Sequence, residues 1–358
     1  MSDNLIEQTA TRLFADHIDR DLLAACEAGQ WPAQLWREVE DNGLSMALAS
    51  ESAGGIGASW EDAYPILREI GYAQVPLPLA QTMIAALILS AGEIPVPAGP
   101  IALIESLRDA RLGNDRLTGQ AERVLWAAHA EHGVAANGDE LLLVRLSGGD
   151  GVQITPARPN AAGEPEHGLT FAGAPVLARI ANPFPDLGDP IRHFGALATS
   201  IALVGALEFA LEQSVQYAND RVQFGRALAK YQAIQHPLAL LAGDIAAARM
   251  AALVAAGAAP AMARRDAGCA PFDIAVAKVR AGEAATRAIS IAHQVHGAIG
   301  FTVEHRLNYA TRRLMTWRAA HGSDAWWAER LGRAAIGAGA AGFWPGLTRR
   351  DLGAAPAG

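Results

Sequence analysis

The chain has 358 residues, 51% of them hydrophobic and 18% charged, which is enough length and apolar surface for two or three packed units. A formal charge of −8 with no basic tract argues against nucleic acid as a partner, because counterion release needs clustered Lys and Arg. No uninterrupted apolar run reaches the roughly 18 residues of a membrane span, and Cys26 and Cys269 lie apart with no CxxC or His/Cys cluster, so neither a membrane anchor nor a metal site is expected.

The N-terminal stretch carries early acids and no apolar signal core, which predicts a cytoplasmic setting. From Asn4 to about Ser90 apolar residues recur at helical spacing, as in Trp31, Leu35, Trp36 and Val39, and predict a helical domain over 1–94. The Ala53-Gly54-Gly55-Ile56-Gly57 stretch lacks the Lys-Ser/Thr of a phosphate-binding loop and follows no strand, so it reads as a plain break.

Between about Pro95 and Pro183 Pro and Gly become frequent, and short apolar runs are bounded by turn signals. Glu140–Arg145 follows Asn137-Gly138, and Val152–Thr155 follows Gly148-Gly149-Asp150-Gly151, which predicts strands of a small β domain over 95–186. Helical periodicity returns after about Pro190. Leu197, Ile201, Val204, Leu211 and Val215 form one stripe, Ile234, Leu238, Leu241, Ile245 and Ala248 a second, Ala281, Ala285, Ala288 and Ala292 a third, and Leu307, Ala310, Leu314 and Trp317 a fourth. These predict a four-helix bundle with a tail over 187–358, and a mainly α, α+β chain overall.

Chemistry concentrates where bundle helices meet Gly-containing breaks. Arg221-Val222-Gln223-Phe224-Gly225 ends the first stripe, with Tyr231 and Gln232 opening the next. A bidentate guanidinium at such a break suits a diphosphate, although a helix-ending Arg paired with a surface acid is the plainer alternative. Gln294-Val295-His296-Gly297-Ala298-Ile299-Gly300-Phe301 ends the third stripe, where glycines let a backbone pass close to a ligand and present N–H groups to it. His293 and His296 read as helix-end hydrogen-bonders.

These two stretches, together with the order of helices, strands and bundle, resemble the acyl-CoA dehydrogenase family over essentially the whole chain. Gly29-Gln30-Trp31-Pro32, Asn42-Gly43-Leu44 and Gly54-Gly55-Ile56-Gly57 look like words of its first domain. The resemblance implies FAD as cofactor. Arg221 would clamp the pyrophosphate of a neighbouring subunit's flavin, with Gln223, Phe224, Tyr231, Gln232, Gln294, Val295, Gly297, Ala298 and Ser323 around the cofactor. It also implies an acyl-CoA substrate, an electron-transfer acceptor and an oligomer. Ala298 stands where the family usually has a second glycine, which costs little if its φ is negative.

The family's reaction removes the α-proton of the thioester with a glutamate while the β-hydride leaves to the flavin, so a base is obligatory. Counting from Gln294, the usual Glu-Gly-Thr word falls on His321-Gly322-Ser323, and counting back from Arg221, the alternative glutamate slot of some members falls on Gly195. Neither holds an acid. Three readings follow: His321 is itself the base, Asp324 reaches in, or a partner subunit supplies the glutamate in a heteromeric α2β2 enzyme of steroid or other bulky acyl-CoA breakdown. The Arg108–Asp115 stretch is a shortened substitute for the family's flavin-wrapping loop. The alternatives to a dehydrogenase are a flavin monooxygenase of the same fold, which needs no α-proton base, and a non-catalytic scaffold subunit.

Overall fold

A computed structural model describes residues 3–147 and 151–351; the Gly148–Asp150 part of the expected turn lies outside the described residues. The chain divides into two compact units. The first comprises residues 1–66, Pro76–Gly195 and Pro260–Ala267; the second comprises Leu67–Val75, Ala196–Ala259 and residues 268–358.

Five helices come first: α1 (Asp3–His17), α2 (Arg20–Glu27), α3 (Ala33–Asp41), α4 (Trp60–Tyr72) and α5 (Leu79–Ala91). The Asp19 side chain caps α2 by accepting from the Leu22 N–H at 2.8 Å. Leu35, Trp36 and Val39 are buried along one face of α3, as their spacing requires. Helix α5 is buried all round, from Leu79 through Met83 and Leu87 to Ala91. The glycine-rich stretch is a loop folded tightly on the preceding backbone, since a Cβ on Gly55 would meet the Ala49 carbonyl oxygen at 2.3 Å.

Strands β1 (Ile101–Ile104), β2 (Arg108–Gly113), β3 (Arg116–Leu125), β4 (His132–Asn137), β5 (Glu140–Arg145), β6 (Val152–Ile154), β7 (Arg158–Pro159) and β8 (Pro165–Ala181) form one sheet in the order β1-β4-β5-β8-β3-β2, with β6 and β7 also on β8. Strand β8 is long enough to pair with β3 along its first part and with β5 along its last. Among the described residues only β1 and β4 pair in parallel. Alternate residues Leu117, Gly119 and Ala121 of β3 point inward, and Leu117 and Ala121 join Leu142, Val144, Leu169 and Phe171 in the sheet's core.

The remaining helices are α6 (Pro190–Asp220), α7 (Gln232–Ala258), α8 (Ala270–His296), α9 (Leu307–Trp317) and α10 (Asp324–Arg349). The tail expected beyond the fourth stripe is thus mostly helical, two segments meeting at a kink at Gly339 (φ 67), and its small residues Gly337 and Ala338 give no apolar period to read. In the second unit α4 and α6 touch backbone to backbone: a Cβ on Gly71 would lie 1.7 Å from the Ala202 oxygen, and one on Gly205 1.9 Å from the Arg68 oxygen. Helices α6 and α7 are long and apolar enough to cross a membrane by length and composition, which counting uninterrupted apolar runs did not show. The apolar window of α6 is 83% buried inside the protein and that of α7 only 28%.

Candidate active site

The end of α6 makes a hairpin. Val222–Gln223 pairs antiparallel with Arg226–Ala227 around Phe224 (φ 52) and Gly225 (φ 85), two left-handed residues in succession, as a tight two-residue turn requires. Tyr231 braces this turn from behind, donating its hydroxyl to the Gln223 oxygen at 3.1 Å and to the Phe224 oxygen at 3.2 Å, while the Arg226 guanidinium covers its ring at 4.1 Å. The side chains of Arg221, Gln223 and Phe224 are left facing outward, Phe224 at 89% exposure. Arg221 makes no ion pair among the described residues, so the helix-ending salt bridge that was the plainer reading is not formed. Gln232, the first residue of α7, is exposed beside them.

Helix α8 ends at the second stretch. Gly297 has φ 63 and ψ −143, a conformation essentially closed to residues with a Cβ. Gln294 and Ala298 are exposed, and Ala298 keeps a negative φ, so alanine is tolerated there. Val295 is only 5% exposed and packs in the bundle, leaving its backbone alone to offer. Gly300 is enclosed: a Cβ would meet His296 Cβ at 3.0 Å and Leu307 Cδ2 at 3.2 Å. The His296 ring stacks on Tyr217 at 4.6 Å, which sets the last turn of α6 beside the last turn of α8 and brings Arg221 and Gln294 to one end of the bundle. His293 meets the Thr311 hydroxyl at 3.1 Å and stacks on Phe301, and His296 Nδ1 donates to the Ala292 oxygen, so both act as helix-end hydrogen-bonders. Burial pulls both imidazoles below the ordinary histidine value.

The base slot lies elsewhere. His321 (φ 52) and Gly322 (φ 85) form a left-handed turn between α9 and α10. Trp327 Nε1 donates to the His321 oxygen at 3.0 Å, and the Ser323 hydroxyl caps α10 by accepting from the Trp326 N–H at 3.1 Å. Asp324 is engaged by Arg318 at 2.7 Å and is packed against Gly282 of α8, where a Cβ would sit 2.5 Å from its own. Gly195 is buried within α6. From Gly282 to Gln294 is 12 residues of α8, about 18 Å of rise. The clamp residues and the base slot therefore occupy different levels of the same helix.

Whether these residues fit a flavin dinucleotide can be tested against the fold. The clamp fits in its side chains: an outward guanidinium at Arg221, exposed amides at Gln223 and Gln294, and an exposed glycine at Gly297 that leaves room for a ligand to approach the backbone. The ring-covering loop does not. Only Glu105, Ser106 and Leu107 separate β1 from β2, and Arg108–Asp115 is a strand closed by Asn114 (φ 49) and Asp115 (φ 53) rather than a loop. The Asn114-Asp115 pair is a two-residue turn signal that makes this stretch the first strand of a hairpin. Tyr217 and Lys278 carry no motif by which the sequence could show a role.

The comparisons agree with this architecture. The acyl-CoA dehydrogenase N-terminal domain model matches residues 2–94 and the acyl-CoA dehydrogenase C-terminal domain model residues 193–336. The chain is 30% identical over 330 residues to acyl-CoA dehydrogenase IpdE2 of Mycobacterium tuberculosis, covering 89% of this chain and 91% of that protein. A second IpdE2, from Mycolicibacterium smegmatis, is likewise 30% identical, over 89% of this chain and 92% of the relative. Among solved structures, the ChsE4-ChsE5 complex from Mycobacterium tuberculosis superposes with a TM-score of 0.81 at 21% identity, over 94% of this chain and 97% of the matched one. A steroid acyl-CoA dehydrogenase variant, Tcur3481-Tcur3483, matches with a TM-score of 0.81 at 24% identity, over 95% and 98%.

The chain belongs to the acyl-CoA dehydrogenase family. It is therefore placed among oxidoreductases acting on CH–CH bonds.

Proposed function

We propose that this chain is one subunit of a heteromeric FAD-dependent dehydrogenase that desaturates a bulky acyl-CoA thioester between its α and β carbons, and that its clamp serves the cofactor of a neighbouring subunit. The observation that carries this is the placement of the clamp. Arg221, Gln223 and Phe224 point away from their own chain, and Gln294 lies about 18 Å along α8 from Gly282, which packs against the base-slot turn. The clamp therefore stands well apart from the base slot along α8 and faces outward, where a cofactor carried by a neighbouring subunit can reach it. The names of the ChsE4-ChsE5 complex and of the two-chain steroid enzyme support a mixed assembly and a steroid-type thioester.

A flavin held by these residues would supply the hydride acceptor for the β carbon. The chain's own residues do the rest. Arg221 neutralises pyrophosphate charge through paired N–H donors, Gln294 and the turn at Gly297 hydrogen-bond the dinucleotide, and Phe224 covers apolar surface beside it. His321 takes the α-proton on its imidazole as the carbanion forms. Its left-handed backbone, held by Trp327 and the capped start of α10, is the preorganisation such a base needs. Asp324 is the weaker candidate because Arg318 already holds its carboxylate.

A second reading is favoured by the three-residue link between β1 and β2: a partner supplies both ring-covering loop and base. The deciding experiment is an anaerobic titration of the purified chain, alone and with its partner, using acyl-CoAs of several sizes including a steroid-type thioester, while following flavin absorbance. Bleaching of the chain alone supports His321. Bleaching only with the partner assigns the base to the partner, and no bound flavin in either state removes the cofactor reading.

A further inference from the structure

We propose that Lys278 is a positioning residue for the His321 turn, an inference that rests on the reading of that turn as the base-bearing end of the site. Lys278 lies on α8 with 0% exposure. Its Nζ donates to the Trp317 oxygen and to the Arg318 oxygen, each at 2.9 Å. The same two carbonyls close the turn from within: Trp317 O accepts from the Ala320 N–H at 3.1 Å, and Arg318 O accepts from the Asp324 N–H at 3.3 Å. The second of these bonds brackets the whole segment Ala319–Ser323, with His321 and Gly322 at its centre. One amine therefore pins both carbonyl anchors of the segment that carries the imidazole.

The cost of placing it there argues for a conformational purpose. Burying an amine costs several kcal/mol before its hydrogen bonds are counted, and an apolar side chain of the same length packs at least as well in most interiors. Lys278 is instead set at the C-terminal end of α9, where carbonyls lack helical partners and the helix dipole is negative. Gly282, one turn further along the same face of α8, leaves the space in which Asp324 sits against Arg318. The two α8 residues thus fix both limbs of the turn: Lys278 holds its start through two carbonyls, and Gly282 admits its end. Freed of Lys278, the α9 terminus can fray, and the left-handed conformation of His321 loses one of the constraints that maintain it, beside Trp327 and the Ser323 cap.

The test uses the flavoprotein in its native assembly carrying Lys278→Met. Amide exchange at Ala320 and Asp324 should accelerate at least tenfold while Ala281–Ala292 keep their protection and the melting temperature holds. Flavin bleaching by the best acyl-CoA of the titration above should slow at least tenfold at saturating thioester, with flavin content unchanged. Unchanged exchange at Ala320 and Asp324 overturns the proposal, as does a uniform loss of protection along α8, which would make Lys278 a packing residue. Faster exchange with undiminished bleaching would instead show that the turn takes no part in the reaction, and His321→Ala would then be equally silent. Should the Met variant not fold, Lys278→Gln, which keeps a donor on a chain one bond shorter, must show intermediate exchange for the proposal to stand.

Discussion

At His321 a residue with a Cβ holds φ 52, a conformation that costs about 1–2 kcal/mol over the right-handed one. Strain of this kind persists where surroundings enforce it, and here Trp327 Nε1 and the Ser323 cap do so. Replacing His321 by Ala should slow flavin reduction by thioester by about 10²–10⁴-fold, the usual worth of a positioned general base, with flavin still bound. Stopped-flow absorbance checks this, and an unaltered rate would discard the assignment. Asp324→Asn should behave oppositely: loss of the Arg318 pair should cost on the order of 1–2 kcal/mol of stability in a urea melt, with little change in reduction rate. At the clamp, Arg221 has no intrachain acid to lose, so Arg221→Ala should leave stability within about 0.5 kcal/mol yet weaken FAD retention by about 10–100-fold, the worth of a charge-assisted pair. Gel filtration followed by absorbance measures both, and full flavin retention would remove Arg221 from the site.

Among the elements, the ends of α6 and α8 and the start of α9 meet through imidazoles: His296 stacks on Tyr217 and lies 4.9 Å from His305, and His293 stacks on Phe301. Burial lowers the pKa of all three histidines below the ordinary 6.5. The unfolded chain then binds more protons than the folded one below about 6.5, so their contribution is present above that pH and is lost as pH falls through it. Asp273 runs the other way, because burial pushes its carboxyl up from 3.8 to about 6, and its cost to the folded state grows only between those values and is constant above them. Between pH 7.5 and 6 the histidines therefore dominate. The melting temperature should fall across that interval, and exchange at Gly297–Phe301 should rise before that at the start of α8. A flat profile would show that the stack tolerates protons. Much of this bundle was readable in advance, because alanines at 281, 285, 288 and 292 mark one helical face and every one is 0% exposed. Helix α10 was not readable, since a helix rich in Gly and Ala shows no apolar period. Nor was Lys278, since a lysine in a helical pattern ordinarily reads as a solvated charge, and only its partners 39 and 40 residues away give it a role.

For the molecule as a whole, the unanswered demand is made by α7. Leu240, Met250 and Val254 are 69%, 59% and 39% exposed, and with Gly243 and Ala247 they fall on one face at helical spacing. A stripe of this length rarely stays in contact with water, because each apolar square ångström left there forgoes about 25 cal/mol. The clamp hairpin leads directly into the first turn of this helix. If a neighbouring subunit covers the stripe, the same association brings its cofactor under Arg221 and Phe224, and assembly and flavin binding become one equilibrium. Charge introduced on the stripe by Leu240→Glu with Met250→Glu should therefore dissociate the assembly and release FAD together, with midpoints that shift in parallel as protein concentration is raised. Sedimentation velocity recorded at both protein and flavin wavelengths follows the two species at once. A dissociated chain that keeps its flavin would show that Arg221 and Gln294 hold a cofactor within their own subunit, and the in-trans assignment would have to be given up.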